Sequence, residues 1–194
     1  MPRASREQAE KNRERIEEMS ARLFRERGLN GVSVADLMAS AGLTHGGFYG
    51  HFESKEELAA IACARAFEQT RQSWVKRIAS SGGDRRAALA DIVDHYFGAD
   101  HRDNTGTGCA MAAFAGDVAR EAAGGPVRSG FIAGLKGMIA TWTSLLSARD
   151  AEKKRRQALV QVSTLVGALI LARATRGDPL SDEILEAARD VLAD

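Results

Sequence analysis

A chain of 194 residues with 27 basic and 26 acidic side chains carries a formal net charge of +1. That balance excludes a polycation that coats nucleic acid without selectivity, so any grip on phosphate must come from local clusters. A hydrophobic content of 44% over this length supports one substantial domain or two small ones without staples. The two cysteines, Cys63 and Cys109, the lack of a signal-peptide pattern and the lack of an apolar run near about 18 residues predict a soluble cytoplasmic protein with no disulfide framework. Long runs at helical period, without period-two alternation, predict an all-α fold.

The first helix is expected over 5–27, opened by Ser5 with Gln8 and closed by Gly28. Ile16, Met19, Leu23 and Phe24 stripe its second half, whereas the first half is nearly all charged or amide and is expected to stay in water. Arg3 and Arg6 either reach phosphates or a minor groove, as basic arms do, or belong to a solvated, frayed end.

The stretch 33–55 is the most informative in the chain. Ser33 is an N-cap with Asp36 three residues on, and Val34, Leu37, Met38 and Ala41 share one helical face that Gly42 ends. Thr44 is placed to cap a second helix almost at once, which fits a helix-turn-helix whose second helix enters the DNA major groove. In that second helix Phe48 and Phe52 anchor one side, while Thr44, His45, Gly47 and Tyr49 turn outward. Gly46, Gly47 and Gly50 make a poor helix, and close approach of the backbone to a phosphate or base edge would justify them. Ser54 and Glu57 form a capping box for the next helix, whose first turn carries Lys55.

The run from Gly31 to Leu58 resembles the DNA-binding segment of the TetR family of transcriptional regulators. The likeness rests on the Ser33 cap, Ala41-Gly42-Leu43-Thr44, Gly46, Phe48-Tyr49, His51-Phe52, Lys55 and Leu58 in continuous register. Gly47 and Gly50 depart from the family's commonest pattern, which bears on base preference. The expected DNA-side residues are Ser33, Thr44, His45, Gly46, Gly47, Tyr49, His51 and Lys55. Ser33, Thr44 and Lys55 are assigned to phosphates, His45 and Gly47 to base edges, and His51 is partly structural.

A long helix is expected over 55–79, then one from Asp84 to Phe97 with Leu89, Ile92, Val93, Tyr96 and Phe97 on one face. A polar loop follows over 98–108, then a helix from Thr107 to about Ala123, and one starting at Pro126 with a stripe from Val127 to Leu146. The helix over 150–175 becomes apolar nearly all round, and only a short helix over 181–192 follows it. Some of that surface is therefore expected to meet a second copy of the chain. This agrees with the resemblance, which implies dimerisation through the last two long helices. The expected interface residues are Leu165, Ala168, Leu169, Ala172, Leu185 and Ala188.

The implied organisation is a helix-turn-helix head over 1–54 and an effector-binding and dimerisation domain over 55–194, with helix 55–79 linking them. The resemblance implies a regulator, here a repressor, that leaves a near-palindromic duplex operator when a small effector binds. Aromatic and Met side chains suit an apolar cavity, and Phe67, Trp74, Tyr96, Phe97, Met111, Phe114, Met138 and Trp142 are its candidate lining. Cys109 is expected in the first turn of a helix capped by Thr107, where the dipole stabilises a thiolate that electrophiles attack; its plain alternative is a buried small hydrophobe facing Phe114. A Cys-dependent enzyme or metal site using Cys109, His95, His101 and Asp103 matches no compact motif, so no catalytic residue, metal or cofactor is expected. A helical adaptor for other proteins is the remaining alternative.

Overall fold

The computed structural model describes residues 6–193, and every regular element among them is helical. Arg3 and Ser5, expected at a phosphate and a helix cap, lie outside the described residues. The helices are α1 (Arg6–Arg27), α2 (Val34–Ser40), α3 (Lys55–Ser80), α4 (Arg85–Tyr96), α5 (Ala99–Asp103), α6 (Ala110–Val118), α7 (Pro126–Leu145), α8 (Ala151–Ala174) and α9 (Leu180–Ala193). Two 3-10 turns, His45–Gly50 and Thr105–Thr107, punctuate them. The expected polar loop over 98–108 therefore holds α5 and the second 3-10 turn. The helix expected from Thr107 to Ala123 begins only at Ala110 and ends at Val118.

The chain forms two compact units. One joins Met1–Glu68 with Thr105–Ile132, and the other joins Gln69–Asn104 with Ala133–Asp194. In the first, Ile16, Phe24, Leu37, Met38, Phe48 and Leu58 are fully enclosed, so the stretch 33–55 is built on the apolar half of α1. Helix α6 belongs to the same unit. Its Asp117 accepts the backbone N–H of Leu29 at 2.7 Å, just past the end of α1, and pairs with Arg120 at 2.7 Å. The carboxylate thus satisfies the backbone N–H of a buried residue just beyond α1.

In the second unit Trp74 and Trp142 pack ring against ring at 5.3 Å, with Ile92, Tyr96, Phe97, Leu165 and Leu169 buried around them. Arginines close the ends of its helices. Arg173 donates to the carbonyls of His101 and Arg102, Arg102 reaches Ser181 and Asp182, and Arg189 donates to the carbonyl of Phe97.

Helix α8 buries Ala158, Val162, Leu165, Ala168, Leu169 and Ala172, while Leu159, Val160, Ile170 and Leu171 remain exposed. Contrary to the expectation of no long apolar run, α8 is long and apolar enough by length and composition to cross a membrane, with an 18-residue window of mean hydropathy 1.5. A third of that window is buried inside the chain, and the hydroxyl of Ser181, in α9, donates to the Ala172 carbonyl at 2.8 Å.

His101 gives the second unit a pH dependence. Burial pushes its imidazole from 6.5 down to about 4, against the opposing pull of the Tyr96 carbonyl, which accepts from Nδ1 at 2.7 Å. The unfolded chain takes up this proton near 6.5, so between 6.5 and 4 the unfolded state binds more protons and stability falls as pH falls. His101→Phe should be less stable at neutral pH, where the carbonyl loses its donor, yet should lose less on acidification. Urea midpoints at pH 7 and pH 4.5 check this; an equal loss in both proteins would clear His101 of the effect.

Candidate nucleic-acid interface

Local sequence sets the frame of the stretch 33–55. Ser33 caps α2 with a complete capping box: its hydroxyl accepts the Asp36 N–H at 3.1 Å and its own N–H donates to Asp36 Oδ2 at 2.9 Å. These bonds hold the Asp36 carboxyl below its ordinary range. Gly42 then adopts φ of +70°, a left-handed conformation that suits glycine and turns the chain out of α2.

Beyond the turn the expected α-helix is a 3-10 helix. The Gly47 N–H bonds to the Thr44 carbonyl at 3.0 Å and the His51 N–H to that of Phe48 at 2.9 Å, both i to i+3. Glycines at half of the positions His45–Gly50 weaken the α form, so the tighter turn suffices. Thr44 stands at its N-cap, but its side chain makes no capping bond, which corrects the role expected for its hydroxyl. The hydroxyl faces solvent instead.

Phe48 and Phe52 are buried with ring centroids 5.7 Å apart. Tyr49 stands edge-on to Phe48 at 5.3 Å and is 71% exposed, the most exposed large apolar side chain of the described residues. His45, Gly46, Gly47 and Gly50 are exposed, while His51 and Lys55 are half-buried. A methyl group added at Gly46 or Gly50 would meet nothing within 4 Å, and one at Gly47 would touch only Met38 Cε at 3.5 Å. Nothing inside the chain requires these positions to be bare.

The residue that sequence reading missed is Arg13. It lies in the charged half of α1 that was expected to remain in water, yet its guanidinium sits 4.4 Å over the Phe52 ring and donates to the His51 carbonyl. It also pairs with Glu17 at 3.1 Å and Glu57 at 3.6 Å. Glu17 and Glu18 in turn hold Arg65 of α3. The available signal was the i,i+4 pair Arg13/Glu17 one turn before Ile16, but charge patterning does not say which ion pairs turn inward. Ser54 caps α3 by accepting the Glu57 N–H at 3.0 Å, while the Glu57 carboxylate takes the N–H of Glu53 instead of that of Ser54.

The residues expected to line an effector cavity are distributed over both units and are buried in each. In the first unit Phe67 packs edge-on against Phe131 at 5.4 Å, with Met111 and Phe114 also enclosed. In the second, Trp74, Tyr96, Phe97, Met138 and Trp142 are core. Cys109 is itself the N-cap of α6, in place of the expected Thr107 two residues before it, and it makes no side-chain capping bond. It is buried close to Arg25, whose guanidinium pKa is lowered by burial and raised by Glu18, Cys109 and Glu26. Burial pushes the Cys63 thiol up to about 12, which keeps it protonated. Among the described residues no three His, Cys, Asp or Glu side chains are grouped to hold a metal ion.

The interface expectation is corrected. Leu165, Leu169 and Ala172 have no exposed surface, and Ala168, Leu185 and Ala188 are also buried, because α8 and α9 turn these faces toward their own unit. The apolar side chains that α8 presents outward are Leu159, Val160, Ile170 and Leu171.

Residues 17–61 match the family model of bacterial regulatory proteins, tetR family. The chain is 30% identical over 102 residues to the HTH-type transcriptional repressor DhaR of Mycobacterium sp. strain GP1, covering 53% of this chain and 50% of that one. It is 37% identical over 76 residues to the HTH-type transcriptional repressor KstR2 of Rhodococcus jostii strain RHA1, covering 39% and 37%. The chain thus spans half or less of the length of these curated relatives. The structure of a TetR transcriptional regulator from Chloroflexus aurantiacus J-10-FL superposes with a TM-score of 0.76 at 26% identity, covering 96% of this chain and 94% of that one.

Arg13→Gln should keep the helical content but lose about 1–2 kcal/mol of stability, the scale of a charge-assisted bond with a cation–π contact at a partly exposed site. Urea unfolding measures the loss, and amide exchange should accelerate at His51 and Phe52. Unchanged exchange there would show that the turn does not depend on Arg13.

Proposed function

The chain belongs to the tetR family of bacterial regulatory proteins, and we propose that it acts as a homodimeric, sequence-specific regulator of transcription in the bacterial cytoplasm. The carrying observation is the bare backbone of Gly46 and Gly47 beside exposed His45 and Tyr49, with room for side chains that the sequence does not supply. A duplex surface approaching from outside explains that bareness.

In this reading the 3-10 turn enters the major groove. Ser33, Thr44 and Lys55 hold phosphates, and the solvent-facing Thr44 hydroxyl is available for one. His45 and Gly47 lie nearest base edges, Gly46 permits the approach, and Tyr49 and His51 flank it. Repression is favoured by the description of both DhaR and KstR2 as repressors. No catalytic reaction belongs to this activity.

A second copy of the chain is the partner for the outward face of α8. Leu159, Val160, Ile170 and Leu171 are exposed there, and a helix apolar on two sides needs cover on both. Two heads related by a two-fold axis then require a near-palindromic operator with half-sites about one helical turn, or a multiple, apart. The effector is a small apolar or electrophilic molecule. The electrophilic form draws on Cys109, a buried thiol at the N-cap of α6 close to Arg25.

Selection from a random duplex pool should return a near-palindrome preferred over scrambled DNA by about a thousandfold or more. Gly46→Ala and His45→Ala should keep stability and lose that preference. No enrichment would remove the regulator reading and leave the exposed α8 face as the docking site of an adaptor. For the effector, an α,β-unsaturated aldehyde should release operator DNA from the natural chain and not from Cys109→Ser; equal release from both would point to an apolar, reversible ligand.

A further inference from the structure

The second unit carries a groove of about 770 Å³ that the DNA-binding reading does not use, bounded by the first turn of α4, the end of α7, the start of α8 and the last residues of α9. Its volume is that of a small-molecule site. Arg85 and Arg86 stand at its rim, exposed, and among the described residues neither side chain pairs with a carboxylate. Both lie in the first turn of α4, at the positive end of the helix dipole, where cations are disfavoured. The one acidic side chain lining the groove, Asp84, is occupied in capping α4, accepting the N–H groups of Arg86 and Ala87 at 2.9 and 3.1 Å.

The charge extends along the wall. A second groove of about 410 Å³ shares Gln157, Gln161 and Leu192 with the first and adds Lys153 and Arg156 with no acid, beside Val160 and Val191 at the edge of the face assigned to a second copy. Between these cations the floor is apolar: Leu145, Leu146 and Leu192 are buried and Leu89 half-buried. Cations held against a helix dipole around an apolar trough match a ligand with an anionic head and a hydrocarbon tail.

We propose that this groove binds a small amphipathic organic anion, a medium-chain carboxylate, with its head on Arg85 and Arg86 and its tail along Leu89, Leu146 and Leu192. The guanidinium fork suits a carboxylate because two parallel N–H bonds can form at once. Binding is directly observable. Gln161 in the wall accepts the indole N–H of Trp142 at 2.8 Å, and Trp142 packs on Trp74, the only other tryptophan in the chain.

The full chain without DNA is titrated with hexanoate, octanoate and decanoate below their micellar range, following tryptophan emission and calorimetric heat. Decanol and decylammonium serve as neutral and cationic probes. Saturable binding is expected that tightens by about fourfold per methylene. The double substitution Arg85→Glu with Arg86→Glu should weaken decanoate at least tenfold and should fold normally, because acids in that turn favour the helix dipole. Gln157→Glu, at an exposed wall position, should weaken it independently. Absence of saturable heat, equal affinity in the charge-reversed protein, or decanol or decylammonium binding as tightly as decanoate would each overturn the assignment. The measurement contains no DNA, so its failure leaves the regulator reading standing.

Discussion

The 3-10 turn His45–Gly50 stops without a helix to continue into, and its half-glycine composition gives it little intrinsic stability. What holds it is applied from behind. Phe48 and Phe52 fix the inner side, and Arg13 of α1 stacks on Phe52 while donating to the His51 carbonyl. Glu17 and Glu57 on either side hold the guanidinium in place, and Glu17 also reaches Arg65 of α3. One cation thereby ties α1, the turn and the start of α3 together. The outer side is left free of structural duty, which is why His45, Gly46 and Tyr49 can face outward.

A second constraint fixes the other end of α1. Asp117 belongs to α6, far along the sequence, yet it accepts the Leu29 N–H and lies against Gly28, where an added methyl group would come within 2.9 Å of Oδ2. Glycine at position 28 is needed both for φ of +75° and for this close approach. The segment 105–132 is therefore part of the unit that carries the 3-10 turn His45–Gly50. Cys109 begins the same helix that Asp117 nearly ends, so a thiol reaction that shifted α6 would act on the anchor of α1 through one short element.

The parts legible in the sequence were those governed by local rules. The Ser33 box, the breaks at Gly28 and Gly42 and the inward pair Phe48/Phe52 each follow from a few adjacent residues, and the structure has them as expected. The glycine content warned of a weak helix without revealing that a 3-10 turn would replace it. Arg13 was illegible because a charged half-helix reads as solvated, and nothing local says that one arginine meets a ring some forty residues away. The faces of α8 were inverted for a related reason: in a helix apolar nearly all round, periodicity no longer distinguishes inside from outside, and only α9 settles that Leu165 and Leu169 point inward. α5 was hidden in a polar stretch that Arg173 of α8 secures by donating to the carbonyls of His101 and Arg102.

The outward face of α8 also sets a scale for the proposed pairing. Leu159, Val160, Ile170 and Leu171 are between 40% and 61% exposed in the single chain. Complete burial of such a side chain contributes about 1.5–3 kcal/mol, so covering the remaining half of each in two copies amounts to about 10 kcal/mol. That lies within the about 4–15 kcal/mol that association loses in translational and rotational freedom. These four residues alone bring the balance near zero, and α9, with Val191 exposed beside the same face, must add to it. A pairing so constituted needs both last helices. It would respond to small displacements of either one, and a dimer with that property can be moved between operator spacings by modest ligand-binding energies.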